Sequence, residues 1–251
     1  ISNPTVDAFE KRMTALEGGI ASVACASGMA ALYNAFCNIL RAGDEIVSSA
    51  SLYGGSIDLF RDLESFGITT RYVENNNLEE FRAATNEHTR LYFAETIGNP
   101  RLDVTDIEAL AKLAHDNGVP LIMDNTVATA YLVQPLKLGA DVVVNSTSKY
   151  INANSSAISG VITDAGRFKW DEDRYPGMKA IPLPTIRLLF FTMAVRTSFR
   201  ESGVLRFFST IQTDCSRVDS TICNSPLICV AVLRSSPCAW SMASSVICFR
   251  L

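Results

Sequence analysis

Residues Val142 to Tyr150 read VVVNSTSKY. Three successive valines fit a strand buried on both faces, because an uninterrupted apolar run leaves no side for water. The run ends in Asn145, three hydroxyl residues and then Lys149. A lysine at the end of such a strand either reaches solvent or faces a group with which it reacts. The flanking pattern bears on the choice.

Outward from this run, helical and strand periods alternate up to about residue 165. PTVDAFEKRMTALEGG (4–19) is spaced as a helix that opens on proline and stops at glycine. IASVACAS (20–27) reads as a strand and GMAALYNAFCNIL (28–40) as a helix, followed by the strand DEIVSS (44–49). The helix GGSIDLFRDLESFG (54–67), the strand ITTRYVE (68–74), the helix LEEFRAAT (78–85) and the strand TRLYFAET (89–96) come next. DVTDIEALAKLAHDNG (103–118) is expected to be helical. VPLIMDN (119–125), DVVVNS (141–146) and AISGVIT (157–163) are expected strands.

Alternating strands and helices predict an α/β fold: a mostly parallel central sheet flanked by helices. Ligands of such sheets bind beyond the carboxyl ends of the strands. That rule gathers Ser27-Gly28, Glu95 to Asn99, Asp124 and Ser146 to Lys149 around one crevice.

Composition narrows the function classes. The 251 residues are 48% apolar and 19% charged, enough for a sizeable core. The net charge is −4 and no basic run occurs, which argues against nucleic acid or anionic membrane as a partner. No apolar stretch is long enough to span a bilayer, and no secretory leader follows Ile1. A chain opening on isoleucine reads as a fragment. The seven cysteines include no CxxC pair, so neither a zinc site nor a redox pair is expected. Free thiols in a reducing cytoplasm fit the odd number. His88 and His115 fall in polar helix ends and read as surface residues.

The crevice residues suit one chemistry. A desolvated lysine amine is a nucleophile towards carbonyls and forms Schiff bases. Asp124, one βαβ step earlier, reads either as a turn acid or as a carboxylate beneath a protonated ring nitrogen. Pyridoxal phosphate requires the second. Ser27, Gly28 and Met29 open a helix whose free amides attract an anion, and Gly28 would let that anion come close. Ser146 and Ser148 could add hydroxyls to the same phosphate. Tyr53, before two glycines, could stack on a ring. Asn99 could bond a ring hydroxyl, although Asn-Pro is also a turn signal.

With these residues assembled, the chain resembles the Cys/Met-metabolism family of pyridoxal-phosphate enzymes, of fold type I. The stretches ISNPTVDAFEKRMTALEGG, ASGMAA, SLYGGS, ETIGNP, DNTVAT and STSKYINANSSAISGVI carry the likeness over residues 1–179. STSKYINANSSAISG is most similar to the O-acetylhomoserine sulfhydrylase branch. The resemblance implies that Lys149 holds the coenzyme and moves protons, that Asp124 pairs with the ring nitrogen, and that Tyr53 stacks and assists proton transfer. It implies phosphate binding by Gly28, Met29, Ser146 and Ser148, with Asn99 near the ring hydroxyl. The implied reaction is γ-replacement on an O-acetylhomoserine-like substrate, with acetate leaving and sulfide giving homocysteine. A γ-eliminating lyase shares every residue named, and an inactive fragment is the alternative of another class. A small-molecule substrate, a sulfur donor and a homodimer or homotetramer are the implied partners.

Three departures accompany the likeness. The family's Tyr-x-Arg, which reaches a neighbouring subunit's phosphate, would precede Ile1. Its Gly-His after STSKYIN is here Ala153-Asn154. Its C-terminal substrate-clamping arginine has no counterpart that aligns beyond about Gly203. The expected division is therefore a coenzyme-binding domain over 1–179 and an atypical tail over 180–251. The last lysine is Lys179 and the last glutamate Glu201, while serine and cysteine become abundant. The tail is hypothesised to be a shifted-frame reading, and an uninterrupted frame in independent isolates would refute this.

Overall fold

The computed structural model describes residues 3–171 and 173–178, all within the first of two compact units, residues 1–198. The second unit, 199–251, lies outside them, as do the expected boundary at 179/180 and the tail.

Seven strands form one sheet: β1 (Ala21–Cys25), β2 (Glu45–Ser49), β3 (Thr69–Val73), β4 (Thr89–Glu95), β5 (Leu121–Asp124), β6 (Val142–Asn145) and β7 (Gly160–Asp164). Their order across the sheet is β1-β7-β6-β5-β4-β2-β3. The helices are α1 (Pro4–Glu17), α2 (Gly28–Ile39), α3 (Gly54–Glu64), α4 (Leu78–Ala84), α5 (Ile107–Asp116) and the single turn α6 (Thr129–Leu132). The mostly parallel, helix-flanked sheet is as expected.

β7 departs from the parallel rule, running antiparallel to both β1 and β6. The chain leaves β6 and re-enters at β7 on the same end of the sheet, so the lysine-bearing loop is anchored twice at that end. β7 also starts three residues later than the pattern predicts. Ser159 is committed to the loop instead, its N–H donating to Ser148 Oγ at 2.9 Å. The helix expected from Asp103 likewise begins only at Ile107. Val104 bridges to Ile97, and Asp106 caps the helix by accepting Ala109 N–H at 3.1 Å.

Both faces of the sheet are buried, which explains the uninterrupted apolar runs. Leu91, Phe93, Ile122, Val142 and Val144 face one core with Phe36 of α2 and Phe60 of α3. Tyr92, Ala94, Leu121, Met123 and Val143 face the other, with Phe81 of α4 and Leu110 of α5. The alternation follows from the two-residue period of a strand. Phe36 and Phe93 meet edge to face at 5.3 Å, and burying each ring contributes about 2–3 kcal/mol. At the edge, β1 is tied to α1 by Glu10, whose Oε1 accepts Ala24 N–H at 3.0 Å.

Both histidines are exposed, but His115 has a partner that its sequence context did not predict. Its Nε2 lies 2.8 Å from Oδ2 of the buried Asp141, which also accepts Leu121 N–H. Neither Cys25 nor Cys37 is in a disulfide. Among the described residues no helix is long and apolar enough to cross a membrane.

Candidate functional site

The β1–α2 turn and the carboxyl ends of β4, β5 and β6 open on one cavity of about 720 Å³, a size that suits a small ligand. All nine residues selected from the sequence line it: Ser27, Gly28, Met29, Tyr53, Asn99, Asp124, Ser146, Ser148 and Lys149. They come from five separate segments of chain.

α2 starts at the cavity wall. Ser27 caps it, with Oγ accepting Ala30 N–H and the carbonyl accepting Ala31 N–H, each at 3.0 Å. The amides of Gly28 and Met29 come before these bonds, leaving the positive end of a 12-residue helix towards the cavity. Gly28 also has a packing reason to be glycine: a Cβ there would stand 2.4 Å from Ser146 Cβ. Gly160 is equally constrained, since its Cβ would lie 2.2 Å from the Ser27 carbonyl oxygen.

The hydroxyl run divides its labour. Thr147 is buried, its Oγ1 2.6 Å from Ser159 Oγ. Ser148 Oγ donates to the Ser159 carbonyl at 3.0 Å while accepting Ser159 N–H, which holds the loop. Ser146 is half-buried and packs beside Gly28. Its N–H donates to Thr126 Oγ1 at 2.8 Å.

Asp124 stands on β5, next to β6, and its Oδ1 accepts Thr126 N–H at 2.8 Å. Burial pushes its carboxyl above the usual carboxylate range, offset in part by Thr126. A cation facing it would draw it back. Lys149 lines the cavity but is exposed, not desolvated as its sequence context implied. The rim beside it is open, with Tyr150 66% and Ile158 78% exposed. Tyr53 precedes α3 with its ring 48% exposed, and Asn99 is an exposed loop residue.

Thr126 and Glu95 are among the further lining residues to which the sequence assigned no role. Thr126 joins the Asp124 and Ser146 strand ends, a link no local pattern reveals. Glu95, at the end of β4, is 5% exposed, and its Oε1 accepts Tyr53 N–H at 2.7 Å. Burial and the nearby Asp124 push its pKa to about 8. Its position at a strand end was legible, but its burial beside a second acid was not.

Helix amides, hydroxyls, an amine, an acid and an aromatic around one cavity fit a flat heteroaromatic aldehyde bearing a phosphate. Among the described residues, no group of three or more His, Cys, Asp or Glu could hold a metal ion.

Known proteins resemble this chain in sequence and fold. The family profile described as Cys/Met metabolism PLP-dependent enzyme matches residues 1–181. An O-acetyl-L-homoserine sulfhydrylase of Leptospira meyeri is 47% identical over 176 residues, 70% of this chain and 40% of its own length. A homocysteine synthase of Schizosaccharomyces pombe is 43% identical over 194 residues, covering 76% and 45%. The chain thus spans less than half the length of these curated relatives. A solved O-acetylhomoserine sulfhydrylase of Wolinella succinogenes superposes with a TM-score of 0.69 at 37% identity, over 80% of this chain and 58% of that one. A Campylobacter jejuni protein, a candidate O-acetylhomoserine (thiol)-lyase carrying a pyridoxyl-lysine monophosphate, gives 0.70 at 31% identity, over 78% and 50%. With its fold and 181 matched residues in agreement, the chain belongs to the Cys/Met metabolism family of PLP-dependent enzymes.

Proposed function

We propose that this protein is a PLP-dependent transferase that replaces the acetate of O-acetylhomoserine with sulfide, giving homocysteine. The observation that carries the reading is the juxtaposition of Lys149 and Asp124, at the ends of neighbouring strands, in the cavity that also receives the start of α2. The activities that the relatives are named for support the choice of substrate.

In this reading residues 1–179 are the coenzyme-binding domain. Pyridoxal 5′-phosphate, when bound, supplies an electron sink for negative charge developing at the substrate Cα. Lys149 Nζ would hold it covalently and then carry protons between substrate carbons. The Asp124 carboxylate would keep the ring nitrogen protonated. The amides of Gly28 and Met29 would hold the phosphate with the Ser146 hydroxyl. Ser148 would join them only by surrendering its bond to the Ser159 carbonyl. Ser27 shapes the turn as a cap. Tyr53 would cover the ring, and Asn99 would approach its hydroxyl.

Cytoplasmic placement fits Cys25 and Cys37, neither of which is in a disulfide. A homo-oligomer fits the family's shared active sites. The test is borohydride reduction with the coenzyme followed by peptide mass spectrometry, together with two assays. An adduct on Lys149 and homocysteine from O-acetylhomoserine plus sulfide are expected. Formation of 2-oxobutanoate from methionine alone would make the protein a lyase, and absence of any adduct would refute the coenzyme reading.

A further inference from the structure

Glu95 has no place in the reaction just described, yet it lines the cavity and is only 5% exposed. Its carboxyl accepts one backbone amide at close range and interacts electrostatically with a second, from a different loop. One is Tyr53 N–H, at the entry to α3, 2.7 Å from Oε1. The other is Asn99 N–H, in the loop after β4. Tyr53 has no side-chain cap of its own at this helix start. Glu95 also stands in register with Asp124 on the adjacent strand, and Asp103 is a third acid in its field. Burying a carboxyl beside other acids is unfavourable, so the two amides are what its acceptor oxygens gain there.

We propose that Glu95 is a positioning residue of this site. Its single carboxyl ties the Tyr53 and Asn99 loops together and sets the gap between the Tyr53 ring and the strand floor at Asp124, into which the flat ring of the coenzyme fits. The inference rests on the coenzyme reading above. What the geometry demands is acceptor oxygens, not charge. The pKa of about 8 is consistent with this, since the group is largely protonated at neutral pH and still accepts through its oxygens. An amide, whose one carbonyl oxygen has two lone pairs for the two N–H groups, therefore replaces it and a hydrocarbon does not.

The experiment titrates pyridoxal 5′-phosphate into the full chain and reads absorbance, induced circular dichroism of the bound coenzyme and the borohydride adduct on Lys149. The proteins are wild type, Glu95→Gln, Glu95→Ala, Tyr53→Ala and the Glu95→Ala/Tyr53→Ala double variant. Glu95→Ala should raise the dissociation constant about ten-fold and weaken the induced dichroism. Glu95→Gln should retain wild-type dichroism and an affinity within about three-fold. In the Tyr53→Ala background the Glu95 substitution should add less than about two-fold, because coupled residues are not additive.

A wild type that forms no Lys149 adduct overturns the coenzyme reading and this inference with it. A wild type that binds normally beside an unchanged Glu95→Ala variant overturns the inference alone. So does an equal loss in both Tyr53 backgrounds, the mark of a merely structural role. If Glu95→Ala does not fold, the Gln variant decides: lost dichroism at wild-type melting temperature refutes positioning, and retained dichroism supports it.

Discussion

Asn145 Nδ2 donates to Oε1 of Glu17 at 2.8 Å, joining the end of β6 to the last residue of α1 across 128 positions of sequence. Asn125, just after β5, reaches both oxygens of the same carboxyl at 3.3 and 3.4 Å and accepts from Thr96 Oγ1 at 2.9 Å. One buried side chain thus joins the ends of β5 and β6, and through Asn125 the end of β4. Asp124 and Ser146 are the immediate neighbours of the two asparagines.

Removing that carboxyl strands buried amide donors. Glu17→Ala should lower unfolding stability by roughly 2–4 kcal/mol through the cavity and the unpaired groups. Glu17→Gln, which keeps one acceptor, should cost less. Urea titration of both variants checks the order, and equal losses would show that the hydrogen bonds contribute little.

Glu95 predicts a pH dependence of the coenzyme-free protein. Its pKa is raised from 4.5 to about 8, so the folded state holds the proton more tightly than the unfolded state. The resulting stabilisation is complete below about pH 4.5 and is lost as pH rises towards 8. Glu95→Gln should therefore match wild type near pH 5 and exceed it near pH 9, by roughly 2–5 kcal/mol. Denaturant midpoints across that range test the crossover. A constant difference between the two proteins would exclude Glu95 as its source.

The glycine contacts separate two kinds of overpacking. Gly28→Ala meets mainly the Ser146 side chain, whereas Gly160→Ala meets the backbone of Ser27 and Gly28. Each should destabilise by about 1–3 kcal/mol. Adding Ser146→Gly should recover part of the loss at Gly28 and none at Gly160. Thermal melting of the single and double variants would reveal any rescue at Gly160, which would contradict the contact geometry.

Lys149 is exposed and makes no packing contribution of consequence. Lys149→Ala should leave stability within about 0.5 kcal/mol of wild type while abolishing the borohydride-stable coenzyme adduct. An adduct that persists on another peptide would move the reactive amine elsewhere.

Much of this was legible along the chain because it is local. Apolar runs such as Val142–Val144 announce doubly covered strands, and Ser27-Gly28 announces a helix start. The strand-end rule places seven of the nine candidate residues at one crevice without any coordinates; Met29 and Tyr53 were added from their own local context. The local pattern overreached at Asp103 to Asp106, where the Val104 bridge to Ile97 delays the helix. It also overreached at Lys149, where an open rim leaves the amine exposed. Neither outcome depends on neighbouring sequence alone.

The amino-acid order determined which segments are strands, which are helices and which polar residues terminate them, since periodicity and capping act over a few residues. Tertiary structure alone decided that β7 runs against its neighbours, that Gly28 makes room for Ser146, and that Glu95 meets the amide of Tyr53, 42 positions away. Those relationships depend on the order in which strands assemble and on what each side chain is buried against. Burial and hydrogen-bond partnership are properties of the packed chain, with no signature in a local period.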